Sequence, residues 1–178
     1  MTRLPPCEPP YEPSAAEDFA KIMPPGVRPI RLFRTLAHNP RVLHRVRRGG
    51  LLDPGSISLR EREVVILRTT ALCRSEYEWG THLVFFGKAA GFTPEQIAAT
   101  VTGDPAPFSD AERLLLALCE SLHRSAAVAD ELWDRLAAAY RPDQIVELLA
   151  LAGQYHTIAY LTNALQIEPE DGAPRFPA

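Results

Sequence analysis

Apolar residues recur at helical spacing along most of the chain, and polar residues between them carry the marks of helix ends. Leu32–Ala37 and Val42–Val46 read as short helices divided by Asn39-Pro40, and Gly49-Gly50 with Asp53-Pro54-Gly55 marks a loop. Ser58 and Glu61, three residues apart, form a capping box that opens a helix to about Leu72. A second long helix is predicted from about Ser75 to Ala90, stopped by Gly91. Thr93-Pro94-Glu95-Gln96 supplies an N-cap, a first-turn proline and a box partner, and Ser109 with Glu112 repeats the device. Asp130–Tyr140 is amphipathic, and a long apolar helix covers about Asp143 to Leu165 after Pro142. Its Ile145, Leu148, Leu149, Leu151, Ala152, Ile158, Ala159 and Leu161 fall on more than one face. Such a helix is either central or lies at a subunit contact. Runs of alternating β-branched residues flanked by hairpin turns are nearly absent, so the expected class is all-α.

Composition then divides the chain. Many of the 17 prolines lie in residues 1–28, which predicts an extended arm with at most a short helix near Ala15–Ile22. Residues 29–168 form the expected single helical domain, and 169–178 a proline-rich C-terminal tail. With 178 residues, 46% of them hydrophobic, the chain can bury a sizeable core. The net charge is -3 and the basic residues are scattered. The densest basic run, Arg41 to Arg48, is broken by Val42, Leu43 and Val46, as an amphipathic helix would be. No nucleic-acid partner is expected. No stretch of ~18 apolar residues appears, so no membrane partner is expected either. Cys7, Cys73 and Cys119 are odd in number and far apart, as reduced thiols are. With no apolar signal core at the N-terminus, a cytoplasmic location is expected.

The chemistry is concentrated between Arg60 and Phe92. Ser75, Glu78 and His82 stand at i, i+3 and i+7 and are predicted to share one helix stripe. Phe85, Phe86 and Ala89 continue the stripe and are expected to face inward. An antiparallel pairing with the preceding helix would bring Glu63 to the same pocket. A buried acid beside a buried imidazole is costly unless the two are paired or functional. Two blander readings stand beside the catalytic one. Glu78 and His82 could be a hydrogen-bonded structural pair, or could ligate a metal with Glu63. Di-iron bundles, however, use Glu-x-x-His and paired copies, so no metal and no cofactor is assigned. Cys119-x-x-x-His123 carries only one sulfur, and Cys119 reads as a core residue. His156, beside Tyr155, reads as a satisfied histidine that could alternatively line the pocket; Trp79 and Trp133 read as packing anchors, and Trp79, adjacent to Glu78, could alternatively wall the pocket or a subunit contact. Arg68, five residues after Glu63, does not share its face.

A glutamate in one helix, followed by Cys-x-x-Cys-x-x-x-His and an A-x-x-x-G helix end in the next, is the alkylhydroperoxidase D core. The segment from Arg60 to Phe92 resembles it, with Glu63 and His82 at the glutamate and histidine positions. Ser75 and Glu78 stand where that core has its two cysteines, so the resemblance is to a carboxymuconolactone decarboxylase-like branch without the thiols. It implies an orthogonal helical bundle of the alkylhydroperoxidase D-like type and a homo-oligomer (dimer, trimer or hexamer). It also implies a small-molecule partner: a carboxylated or carbonyl substrate undergoing cofactor-free decarboxylation, elimination or isomerisation. His82 would donate or accept the proton, Glu78 and Glu63 would orient it or act as second acid–base groups, and Ser75 would hydrogen-bond. The alternatives are a peroxide or disulfide reductase using Cys73 or Cys119, and a non-catalytic oligomeric ligand-binding protein.

Overall fold

The computed structural model describes residues 2–177, and among them there are helices and no strands. Three helices form an N-terminal layer: α1 (Pro13–Ile22), α2 (Arg31–Leu36) and α3 (Pro40–Arg48). The body contains α4 (Leu59–Leu72), α5 (Glu76–His82), which runs through a π-helical turn (Leu83–Gly87) into α6 (Lys88–Ala90), then α7 (Pro94–Thr102), α8 (Asp110–Ser125), α9 (Asp130–Ala139) and α10 (Pro142–Ala164). Capping boxes at Ser58/Glu61, Thr93/Gln96 and Ser109/Glu112 start α4, α7 and α8. Gly91, at φ +70°, ends α6 in the left-handed region, where a side chain would be strained.

The centre of the body is α4, buried from Arg62 through Ala71 and packed against α8, α10, α5 and α7. Val64, Val65, Leu115, Leu118, Leu148 and Leu151 form the heart of the main core. The N-terminal layer has its own cluster, in which Ala15, Phe19, Leu32, Leu36 and Leu43 meet Tyr77 and Ile158. The proline-rich arm therefore packs onto the body through α1. On α3, Leu43 and Val46 face inward, while Arg41, Arg45 and Arg48 are exposed. The long α10 buries Ile145, Leu148, Leu151, Tyr155 and Ile158 but leaves Val146 and Tyr160 exposed. Trp133 is 44% exposed and is not the packing anchor expected, because α9 buries only Leu136.

The C-terminal tail lies along α5. The buried Tyr77 hydroxyl accepts from the Leu32 amide (2.9 Å) and donates to Glu170 (2.6 Å), joining three segments in one relay. Farther along, Phe176 packs edge-on against Trp79 at 5.2 Å between centroids. A Cβ on Gly80 would stand 2.3 Å from the Pro174 carbonyl oxygen, so this close passage requires glycine. Replacing Tyr77 by Phe leaves the Leu32 amide without its acceptor. The expected loss in chemical-denaturation stability is about 1–3 kcal/mol; a Y77F protein as stable as the parent would show that the relay does not hold the three segments together.

Candidate functional site

A buried carboxylate in the middle of α4 organises the site. Glu63 is fully buried, and each of its oxygens has a strong donor. The Arg62 Nε donates to Oε1 (2.9 Å), and His82 Nδ1 lies 2.8 Å from Oε2. Arg62 is held in turn by the Leu52 carbonyl (2.8 Å), and its guanidinium stacks over the Phe86 ring at 4.8 Å. Across the imidazole, Nε2 is 3.5 Å from Glu78 Oε1, one helical turn earlier on α5. The other oxygen of Glu78, Oε2, is buried and has no hydrogen-bond partner among the described residues. The Tyr155 ring, from α10, meets His82 edge-on at 5.0 Å.

Two carboxylates facing one imidazole decide its protonation. Burial pulls the His82 pKa down, but the hydrogen bonds and charges of Glu63 and Glu78 outweigh it, and the value is pushed up to about 9. At neutral pH His82 is therefore an imidazolium, with a donor at both nitrogens. The two acids, Arg62 and His82 then carry no net charge together, which makes their common burial tolerable. Burial, followed by the Glu78 and Glu63 charges, raises the Tyr155 pKa well above 10, so its hydroxyl keeps its proton.

This cluster forms one end of a cavity of about 530 Å³, within the usual range for small-molecule sites. Glu78, Thr81, His82 and Tyr155 line its polar end. Ile22, Leu32, Phe33, Val46 and Ile158 supply much of the apolar wall, so the N-terminal layer closes one side. Lys21, Arg47 and Arg48 also line it. Arg47 is tied to the buried Asp18 (2.6 Å), whereas Lys21 and Arg48 make no ion pair among the described residues.

Of the four residues singled out by spacing, Glu63, Glu78 and His82 are brought together, with Glu63 behind His82 rather than on the cavity wall. Ser75 is not brought to the cavity. It is the N-cap of α5, at φ -88° and ψ 78°, and its hydroxyl is 2.8 Å from Thr162 Oγ1. Because the helix begins only at Glu76, the i, i+3 projection from Ser75 does not hold. The inward stripe beyond His82 holds only in part: Phe86 is half-buried and lines the cavity beside His82, whereas Phe85, also on the lining, is 52% exposed and Ala89 is exposed. The π turn at Leu83–Gly87 inserts an extra residue and rotates the helix beyond it. His156 lies outside the cavity lining and bonds to the Ala152 carbonyl (3.0 Å). Trp79 faces away too, donating to Thr100 (2.9 Å), and Arg68 binds Glu120 and the carbonyls ending α7. Spacing missed Arg62, Tyr155 and the cationic rim; the Arg-Glu pair preceding the apolar run of α4 was the available signal for Arg62.

With this geometry in view, comparison with known proteins places the chain. Residues 40–121, which contain Glu63, Glu78 and His82, match the carboxymuconolactone decarboxylase family. The fold matches the alkylhydroperoxidase D core structure of an uncharacterized peroxidase-related protein from Ralstonia eutropha JMP134 (TM-score 0.81, 16% identity, 96% of this chain and 93% of that one). It also matches an uncharacterized peroxidase-related protein from Silicibacter sp. TM1040 (TM-score 0.81, 18% identity, 99% and 96%). The chain is therefore similar to the carboxymuconolactone decarboxylase family over residues 40–121, and its fold is that of the alkylhydroperoxidase D-like structures. A debrominase whose structure was solved in complex with 2,3,4-tribromopyrrole shares the fold more distantly (TM-score 0.71, 16% identity, 96% and 93%). No curated protein matches the chain in sequence. Glu63 and His82 lie within the matched segment, and α5 carries no Cys-x-x-Cys pair.

The electrostatics of the cluster are directly measurable. His82 gains its proton affinity on folding, so its contribution to stability is complete below about 6.5 and is lost as pH rises through about 9. Nitrogen-15 NMR of the imidazole should show a doubly protonated ring at pH 7.5 that titrates near 9, with Glu63→Gln lowering the midpoint. A neutral His82 ring at pH 7.5 would contradict this charge assignment.

Proposed function

We propose that this protein is a thiol-independent acid–base enzyme acting on a small carboxylated or carbonyl compound. The observation that carries the reading is the pairing, at one end of a cavity, of a buried acceptor and a buried donor without short partners of their own. Glu78 Oε2 is unpartnered, and the Nε2 proton of His82 has only a 3.5 Å contact with Glu78 Oε1. An unpartnered buried oxygen costs about 1–3 kcal/mol, which a purely structural pair would avoid. In use, Glu78 accepts a proton from the substrate carbon or hydroxyl. The His82 imidazolium donates to the oxygen or carbon on which negative charge develops, and Glu63 with Arg62 positions it. The Tyr155 hydroxyl is a second donor. Decarboxylation, elimination and isomerisation all fit this pair. The debrominase's small planar ligand suggests the size of molecule that such a cavity takes.

Lys21 and Arg48 give the cavity a cationic side, suited to a substrate carboxylate. A peroxidase role like that suggested by the relatives' names is disfavoured. Cys119 is buried, with its thiol pushed up to about 12 by burial, and donates to the Val65 carbonyl. Cys73 and Cys7 are free and do not line the cavity.

Carbon acid–base chemistry can be read without knowing the full reaction. A panel of small lactones, keto acids and hydroxy acids is incubated with the protein in deuterium oxide and followed by proton NMR for turnover or deuterium uptake at carbon. Activity should fall by about 10²–10⁴-fold in Glu78→Gln, the usual worth of one general acid–base group, and should persist when Cys7, Cys73 and Cys119 are all replaced by Ser. Activity abolished by loss of the cysteines but unaffected by Glu78→Gln would overturn the proposal.

The cationic side has its own signature. With a carboxylated substrate from that panel, Lys21→Ala combined with Arg48→Ala should raise KM about tenfold while leaving kcat nearly unchanged. A KM unchanged by the double substitution would move the carboxylate contact elsewhere.

A further inference from the structure

Three side chains from separate helices converge outside the cavity. Cys73 caps the C-terminus of α4, His123 lies in the last turn of α8, and His156 is midway along α10. His123 Nδ1 lies 3.8 Å from Cys73 Sγ and 3.3 Å from His156 Nε2, and one ligand atom from each residue falls within 4.8 Å of the others. We propose that Cys73, His123 and His156 form a zinc site, separate from the acid–base cavity.

The spacing is what zinc geometry requires. With Zn–S near ~2.3 Å and Zn–N near ~2.05 Å, tetrahedral angles put sulfur and nitrogen about 3.6 Å apart and two nitrogens about 3.3 Å apart. The two separations that involve His123 approach these values before any side chain moves, and Cys73 and His156 lie within 4.8 Å of each other, so a small side-chain movement completes the triangle. The second histidine is also oriented for the task. His156 Nδ1 faces the Ala152 carbonyl at 3.0 Å, an acceptor that keeps the proton on Nδ1 and leaves the Nε2 lone pair toward the cluster. The Asn163 amide donates to the Cys73 carbonyl (2.8 Å), and Arg74, at φ +55°, turns the chain away immediately afterwards, which fixes Cys73 at the helix end. One thiolate and two neutral imidazoles suit a borderline-soft divalent cation such as zinc. Binding releases the thiol proton to solvent. Three protein ligands leave a fourth position, and His123 is exposed, so that position is filled by water. The ion would join the ends of α4 and α8 to the middle of α10, the helix that also carries Tyr155.

The test uses the full-length chain, stripped with a chelator and titrated with zinc against a chromophoric competitor, with cobalt as the spectroscopic probe. Expected are one tight equivalent of zinc, a sulfur-to-cobalt charge-transfer band in the near ultraviolet, and intense visible bands of four-coordinate cobalt. Cys73→Ser should abolish the charge-transfer band. Cys73→Ser or His156→Ala should each weaken zinc by at least about 100-fold, since losing even an outer-shell partner costs roughly 10–100-fold. Helical circular dichroism of the variants checks that they remain folded. Glu78→Gln, in the cavity, should bind zinc as the parent does, which separates this proposal from the acid–base reading. Zinc binding below one equivalent, or one equivalent unaffected by Cys73→Ser and His156→Ala but lost in Glu78→Gln, would overturn it.

Discussion

Glu63 sits in the middle of the most buried helix, where a lone carboxylate is not sustainable, and its neighbours are arranged around that fact. Each oxygen meets a cation: Arg62, the preceding residue, and His82, from the next helix. This pairing fixes the registry of α5 against α4, because one helix must present its histidine where the other presents its acid. Taking away a single partner of such a buried pair typically costs 3–5 kcal/mol. For that reason a change at His82 would confound the proposed chemistry with folding, and Glu78, on the cavity side of the cluster, is the better place to test it.

The same pairing gives the site its chemical character. A solvent-exposed histidine is mostly neutral at neutral pH, but here two acids keep the ring charged. The imidazolium is a standing proton donor, and the second acid is a standing acceptor one helical turn away. Arg62 balances the charge and, stacked on Phe86, also orders the wall next to His82. The same four side chains thus make the buried cluster neutral and set a proton donor against an acceptor.

Much of this was legible in the sequence. The capping residues Ser58, Thr93 and Ser109 mark helix starts because their side chains satisfy particular amides, a local effect that survives any tertiary context. The separation of Glu78 from His82 holds because both lie within one regular helix. Ser75 shows the limit of helical projection: a residue one position outside the helix has its own backbone angles, so its direction cannot be read from spacing. The π turn is a second limit, since it moves Phe85 and Ala89 outward although their spacing is unchanged. The grouping of Lys21, Arg48 and Glu78 around one cavity depends on how α1 and α3 dock, and no local pattern encodes that.

The cavity draws its walls from two sources. Proton-handling groups come from α4, α5 and α10, whereas Lys21, Ile22, Leu32, Phe33 and Val46 come from the N-terminal layer, which has its own small core. On the proposed function, the reacting groups and the walls that select the molecule are therefore written in different stretches of the polypeptide. On that reading, substitutions in the first fifty residues would reshape what the cavity admits and leave the Glu63–His82–Glu78 cluster as it is.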